Sequence, residues 1–225
     1  MRQASQQFNE EHRRRINEAV VQAESKTSAE IVPVVATASG RYDRAEDVIG
    51  LWLSVAGLVV AAILMPYPQV EAGAWGGLSV ALYVAVLAAA VVAGFIAGAI
   101  IGTYWHTLRR LFTPRAQMRE EVSARARAAF FDSSIHKTAA GTGLLVYVSL
   151  YERRASVLAD RAVLDKLGQD ALDALCRQLT ESLTKGDITA AICGVIDSAG
   201  EQLGKVLPRA DDDVNELPDE LVTLD

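Results

Sequence analysis

A long central stretch with almost no charge dominates the hydropathy pattern of this chain. Between Val48 and Leu108 the only acid or base is Glu71, and two prolines interrupt the apolar run. A bilayer core about 30 Å thick needs roughly 20 apolar helical residues, and proline ends a helix. The pattern therefore predicts a transmembrane hairpin with spans at about 48–66 and 78–104. The alternative is a pair of buried core helices.

The segments on either side of the hairpin alternate between helical and extended patterns. Four of them carry apolar residues every three or four positions, and three are short runs rich in β-branched residues. The predicted helices cover about residues 5–25, 114–131, 169–184 and 187–208, and the predicted strands cover 29–37, 142–150 and 155–159.

The connections between the strands predict how they pair. A long crossover joins the first two strands, which should be parallel, and a four-residue connection makes the second and third a hairpin. Pro33 lacks an N–H, which indicates an edge strand or a locally unpaired position. The expected fold is α/β, a small mixed β-sheet flanked by helices and interrupted by the transmembrane hairpin. The predicted segments are 1–47 (first helix and strand), 48–108 (hairpin), 109–208 (remainder of the domain) and 209–225 (acidic tail).

Basic residues beside the two spans predict the orientation. They flank the outer ends of the hairpin, whereas the turn between the spans carries none. Because Lys and Arg concentrate on the cytoplasmic side, both termini should be cytoplasmic. The same arginines are candidates for contact with anionic lipid headgroups. They are Arg41, Arg44, Arg109, Arg110 and Arg115.

Small residues recur at steps of four along the second span, at Gly94, Gly98 and Gly102. Such a stripe lets another helix backbone approach closely. The partner is either the first span of the same hairpin or a second copy of the chain, which would make a homo-oligomer. Neither span contains an acid, a base or an amide, and this argues against a transporter or channel.

Composition excludes several classes of protein. Apolar residues make up 51% of the chain, which excludes a disordered protein. Two cysteines exclude a disulfide scaffold, and both are expected to be small core residues. A net charge of −6 argues against a nucleic-acid partner. No cofactor-binding or metal-binding motif is present, so we predict no cofactor and no metal site.

The best candidate for chemistry is a set of polar residues around the second and third strands. Lys137, Arg153, Arg154 and Arg161 suit an anion or a protein partner, since arginine matches phosphate geometry. His136 and Asp160 are the weak candidates for catalysis, by phosphoryl transfer. An ion-paired surface is the simpler alternative, because no activated nucleophile is visible.

Several segments together resemble bacterial membrane proteins with a TPM domain. The residues that carry the resemblance are Ser28-Ala-Glu-Ile-Val32, His136-Lys-Thr138, Thr142-Gly-Leu-Leu-Val-Tyr-Val-Ser-Leu-Tyr-Glu-Arg-Arg154, Val157-Leu-Ala-Asp-Arg161 and Asn215-Glu-Leu-Pro-Asp219. The resemblance implies a helix-flanked mixed sheet and a place in the bacterial inner membrane. Chloroplast members of the wider family have been linked to photosystem II maintenance, acid phosphatase activity and calcium binding.

The chain departs from that family in two loops. Chloroplast-type and secreted members have an acidic loop before the second strand and a glycine-rich acidic turn after the third. Here residues 136–143 carry no carboxylate and residues 160–165 carry no glycine. Calcium sites need six to eight oxygen ligands, several of them from carboxylates. No metal ligand is therefore transferred to this chain.

These observations favour a membrane-anchored, non-enzymatic module that binds an envelope protein or anionic lipid. The alternative is a membrane-bound phosphatase of the same family. The acidic tail also has two interpretations. Residues 216–222 mix leucines with charge, so the tail either docks on its own domain or a partner, or is exposed and disordered.

Overall fold

The computed structural model describes residues 3–65, 67–68, 79–104, 113–138, 140–210 and 213–225, with only the backbone at 43–45. The chain forms two compact units. One contains residues 1–40 and 116–225, and the other contains residues 41–115. The first is a mixed α/β unit, as predicted, and the second consists of two apolar helices.

The described residues form eight α-helices, one 3₁₀ turn and four strands. In chain order they are α1 (Ala4–Gln7), α2 (Glu10–Glu24), β1 (Glu30–Ala36), α3 (Asp43–Leu64), α4 (Val80–Tyr104), α5 (Arg115–Asp132), the 3₁₀ turn (Ile135–Lys137), β2 (Gly143–Ser149), β3 (Arg154–Ala159), α6 (Arg161–Leu167), α7 (Gln169–Leu183), α8 (Ile188–Val206) and β4 (Val222–Leu224).

The four strands form one mixed sheet in the order β3-β2-β1-β4. β1 is parallel to β2 and to β4, and β2 is antiparallel to β3. The predicted parallel pairing of β1 with β2 and the predicted β-hairpin of β2 and β3 are both confirmed. β1 is a central strand, so the edge-strand interpretation of Pro33 was wrong and the alternative, a locally unpaired position, was right. The N atom of Pro33 faces the β4 side of β1, but β4 pairs only from Val34 onward, so the missing N–H lies opposite no strand among the described residues.

Alternating side chains divide the core into two layers. One face of the sheet carries Ile31, Val35 and Leu144 and packs against α2, α7 and α8. The opposite face carries Leu145 and Tyr147 and packs against α5. A period of two places successive strand residues on opposite faces. Because both faces of β1 and β2 are covered, both strands are buried along their whole length.

Three local features differ from the expectation or were absent from it. The first predicted helix is interrupted, because Asn9 caps α2 by accepting a hydrogen bond from His12 N (2.8 Å). α6 and β4 were not predicted. They have seven and three residues, too few for a periodic signal. The tail docks on its own domain, since β4 pairs with β1.

The hairpin unit pairs α3 with α4. Residues Glu46–Leu64 and Val80–Tyr104 are long and apolar enough to cross a membrane. Most of their large apolar side chains are exposed, including Leu51, Trp52 and Ile63. Exposed apolar surface of this kind argues against the buried-core alternative, because a core helix is covered by its neighbours.

The glycine stripe lies at the contact between the two apolar helices. A Cβ added at Gly94 would lie 2.6 Å from Leu53 O, and one at Gly98 would lie 2.6 Å from Gly50 Cα. A Cβ added at Gly102 would lie 3.1 Å from Glu46 Cα. The stripe therefore packs inside the hairpin. Association of two copies through these glycines stays a prediction.

Candidate functional site

The polar residues singled out from the sequence fall at two opposite ends of the β2–β3 hairpin. Leu144 pairs with Ala159 at one end, and Ser149 pairs with Arg154 at the other. The two pairs are five residues apart along β2, so at about 3.3–3.4 Å per residue these ends are roughly 17 Å apart. His136, Lys137, Asp160 and Arg161 belong to the first end, and Arg153 and Arg154 belong to the second. The six residues therefore do not form one site.

The side chains at the first end have structural roles. Asp160 caps α6 and accepts a hydrogen bond from Arg161 N (2.7 Å). Arg161 pairs with Asp165 across 3.7 Å, and both side chains are largely exposed. The His136 ring lies 5.0 Å from the Phe131 ring, measured between centroids. No contact joins the two weak catalytic candidates, His136 and Asp160, among the described residues.

A buried polar network occupies the opposite edge, where the parallel strands β1 and β2 end. Glu152 is 2% exposed, and its Oε1 accepts hydrogen bonds from Ser39 N (2.9 Å) and Gly40 N (3.3 Å). Its Oε2 accepts a short hydrogen bond from the Ser149 hydroxyl. The Ser39 hydroxyl bonds to Ser149 Oγ (2.8 Å) and to the Tyr147 hydroxyl (2.9 Å).

The strand register explains why these side chains meet. Tyr147 and Ser149 are two residues apart on β2, so both point to the α5 face of the sheet. Leu150 N and Tyr151 N donate to Ala36 O and Thr37 O, which extends the β1–β2 ladder beyond the strands. Arg153 then adopts a left-handed conformation, with φ of 51°, and the chain reverses into β3. The turn before Arg153 thereby places Glu152 beside Ser39.

The network is suited to anchoring the chain rather than to catalysis. Ser149 is fully buried, so its hydroxyl offers no surface to a substrate. Burial raises the pKa of Tyr147, opposed by its hydrogen bond with Ser39. The donors to the Glu152 carboxylate include the backbone N–H groups of Ser39 and Gly40, just before residue 41 begins the hairpin unit.

A cavity of about 570 Å³ lies at the same edge of the sheet, on the other face. Its walls come from the end of β2, the end of α7, the start of α8 and Gln7. Arg153 is its charged residue, and Leu150, Leu183 and Ile188 supply apolar surface. Ligands of open α/β sheets favour this carboxyl edge, and the volume is in the range of small-molecule pockets.

The predicted contacts between five arginines and lipid headgroups stay predictions. Arg41 and Arg115 are exposed, α3 includes Arg44, and Arg109 and Arg110 lie outside the described residues.

Within the described ranges, no group of three or more His, Cys, Asp or Glu residues is placed to hold a metal ion. The two cysteines, Cys176 and Cys193, are half-buried and unpaired.

Sequence reasoning singled out Arg153 and Arg154, the neighbours of Glu152, but missed the serine and tyrosine partners of Glu152. The sequence pattern that could have indicated these partners was weak. Ser149 is a polar residue at the end of an otherwise apolar strand, and Ser39 follows the strand with which it pairs. Only the parallel register shows that the two serines meet.

The chain matches no protein-family model and no curated protein. Among solved structures it is similar to the NMR structure of the BA42 protein from the psychrophilic bacterium Bizionia argentinensis, with a TM-score of 0.57. The two chains are 16% identical, and the match covers 99% of each. At this identity the likeness concerns the fold alone.

Proposed function

We propose that this chain is a TPM-type module anchored in the bacterial inner membrane, with its α/β unit at the cytoplasmic face. It acts by binding an envelope protein or anionic lipid and performs no catalysis. The observation that carries the proposal is the Glu152 network. Hydrogen bonds to Glu152 hold Ser39, Gly40 and Ser149 together, and the backbone continues from there directly into the apolar hairpin.

The Glu152 carboxylate fixes Ser39 and Gly40, the last residues of the α/β unit before the hairpin unit begins, because hydrogen bonds to a charged group are stronger than neutral ones. The exposed Arg41 and Arg115 lie just outside the two apolar spans. Each arginine near an anionic surface contributes about 1 kcal/mol, so the flanking basic residues support a lipid contact on the cytoplasmic side.

Membrane topology provides the first test. In a variant without its two native cysteines, we introduce Glu71→Cys in the predicted turn or Glu216→Cys in the tail. We expect a membrane-impermeant maleimide to label the Glu71→Cys variant in intact spheroplasts and the Glu216→Cys variant only after lysis. Labelling of the tail position in intact spheroplasts would reverse the orientation. Release of the protein by alkaline carbonate would refute membrane anchoring.

The phosphatase alternative is tested by turnover. We expect the pure protein in detergent to hydrolyse no generic phosphate ester, with or without Ca²⁺ or Mg²⁺, because no contact joins His136 to Asp160 among the described residues and Asp160 caps α6. The Asp160→Ala variant should instead lose about 1 kcal/mol of stability through the missing cap. Turnover that disappears in the His136→Ala or Asp160→Ala variant would establish the enzyme and overturn our proposal.

A further inference from the structure

The cavity at the carboxyl edge of the sheet lies wholly within the α/β unit. Its volume of about 570 Å³ falls in the range of roughly 300–1,000 Å³ that small-molecule sites occupy. It lies on the sheet face opposite the Glu152 network, since Val148 faces the layer of α7 and α8. The cavity is therefore a separate feature of this edge, and the anchoring of the chain does not use it.

The inner wall of the cavity is aliphatic. Val148 is 2% exposed, and Leu150, Leu183 and Ile188 are half-buried around it. These side chains come from the end of β2, from α7 and from α8, and all four pack in the same core cluster. Because removing apolar surface from water is favourable, this wall selects a ligand with an aliphatic body.

Two side chains at the mouth of the cavity supply hydrogen-bond donors. Arg153 and Gln7 both line the cavity and are exposed. Neither side chain has a hydrogen-bond or ion-pair partner among the described residues. The planar guanidinium matches the two oxygens of a carboxylate, and the amide offers a further N–H. The mouth therefore fits a carboxylate head.

The charges around the mouth favour a ligand with one negative charge. Arg153 is the one cation that lines the cavity in the described part of the chain. Asp187 caps α8 and accepts from Ala190 N (2.9 Å), so this helix N-terminus already has its anion. Glu181 and Asp187 each adjoin a lining residue and repel further negative charge. A phosphate monoester carries a charge of about −1.5 to −2 at neutral pH and fits less well.

The walls offer little to the polar backbone of a peptide. Leu150 N already donates to Ala36 O (3.0 Å). The hydroxyls of Thr180 and Thr184 donate to backbone carbonyls of the preceding helical turn (2.8 and 2.6 Å). A peptide inside the cavity would leave N–H and C=O groups without partners, which is costly. An aliphatic chain has no such groups.

We propose that this cavity binds a small aliphatic monocarboxylate. The guanidinium of Arg153 and the amide of Gln7 hold the carboxylate, and the alkyl chain packs against Leu183 and Ile188. This inference goes beyond the proposed function and does not depend on it, because the cavity belongs to the α/β unit alone.

The test uses hexanoate whose terminal methyl group is replaced by CF₃, and the full chain in detergent micelles at neutral pH. Fluorine NMR measures binding, with the signal in protein-free micelles subtracted. We expect saturable line broadening that unlabelled hexanoate reverses. Hexanol lacks the charge and should compete at least about tenfold less well, and hexyl phosphate should also compete more weakly. Absence of saturable broadening, or equal competition by hexanol or hexyl phosphate, would overturn the proposal.

Two variants test the charge and the space separately. Arg153→Gln should weaken binding by at least about tenfold, and Arg153→Lys should restore part of it. Thr180→Phe fills the mouth without changing the charge and should also prevent binding. Arg177→Gln is the matched control, because Arg177 is an exposed residue of α7 outside the cavity, and it should bind as wild type.

Hydrogen exchange of the β2–β3 hairpin should match wild type in each variant, which shows that the α/β unit is folded. Wild-type affinity in either Arg153→Gln or Thr180→Phe would show that the carboxylate binds elsewhere, and equal loss in Arg177→Gln would show a nonspecific effect of charge. Either result would overturn the proposal.

Discussion

Replacing Gly98 by valine separates the two apolar helices of the hairpin. A Cβ at this position would lie 2.6 Å from Gly50 Cα and 2.8 Å from Ile49 O. Both are backbone atoms, so no side chain can move aside, and α3 as a whole must retreat. Overpacking of this kind costs about 1–3 kcal/mol or more. We expect a correspondingly lower midpoint in an SDS titration that follows tryptophan fluorescence.

Two comparisons make this result specific. Ala97→Val adds similar volume on the exposed side of the same helix and should leave the midpoint unchanged. Gly102→Ala should have a smaller effect than Gly98→Ala, because its nearest contact is 3.1 Å away and includes the flexible side chain of Glu46. A wild-type midpoint for Gly98→Val would show that the helices are not held by this stripe.

Glu152→Ala is expected to destabilise the α/β unit strongly. It removes the acceptor for Ser39 N, Gly40 N and the Ser149 hydroxyl at a position that is 2% exposed. A buried donor without a partner costs about 1–3 kcal/mol. The Ser149 hydroxyl is fully buried and the two backbone N–H groups are half-buried, so we expect a loss of about 2–4 kcal/mol. Urea unfolding in micelles, followed by near-ultraviolet circular dichroism, measures it.

A second substitution of Glu152 separates the stabilising effect of its charge from that of its shape. Glu152→Gln keeps an oxygen for the two backbone N–H groups but loses the charge, and we expect a cost of about 1–2 kcal/mol. Glu201→Ala removes an exposed glutamate from α8 and should have almost no effect. Hydrogen exchange should show protection lost at Ser39 and Gly40 in Glu152→Ala. Unchanged exchange there would contradict the anchoring role.

Much of the fold could be predicted because it depends on local periodicity and on the lengths of connections. The helices α5, α7 and α8 end within a few residues of their predicted limits, since each presents a continuous apolar face to the core. The long connection through the two apolar helices predicted that β1 and β2 are parallel, and the observed register confirms the parallel pairing. β4 was beyond such reasoning, because three residues carry no pattern and their place depends on the open side of β1.

The candidate site was predictable only in part, because its residues are distant in sequence. Ser39 and Glu152 are 113 positions apart, and no spacing rule connects them. The predicted polar cluster combined residues that are close along the chain, but an antiparallel hairpin sends its two ends in opposite directions. His136 and Asp160 therefore lie at the end of the β2–β3 hairpin opposite the one occupied by Arg153, roughly 17 Å away.

The sequence by itself determined the apolar hairpin, the amphipathic helices and the mixed α/β class. Each depends on solvent preference repeated along a continuous segment, which is a local property. The tertiary structure alone decided that Gly94 and Gly98 pack inside the hairpin, that Glu152 holds Ser39, and that Glu30 accepts a hydrogen bond from Glu216 N. These contacts join distant segments, and their energies arise only when folding removes water from both partners at once.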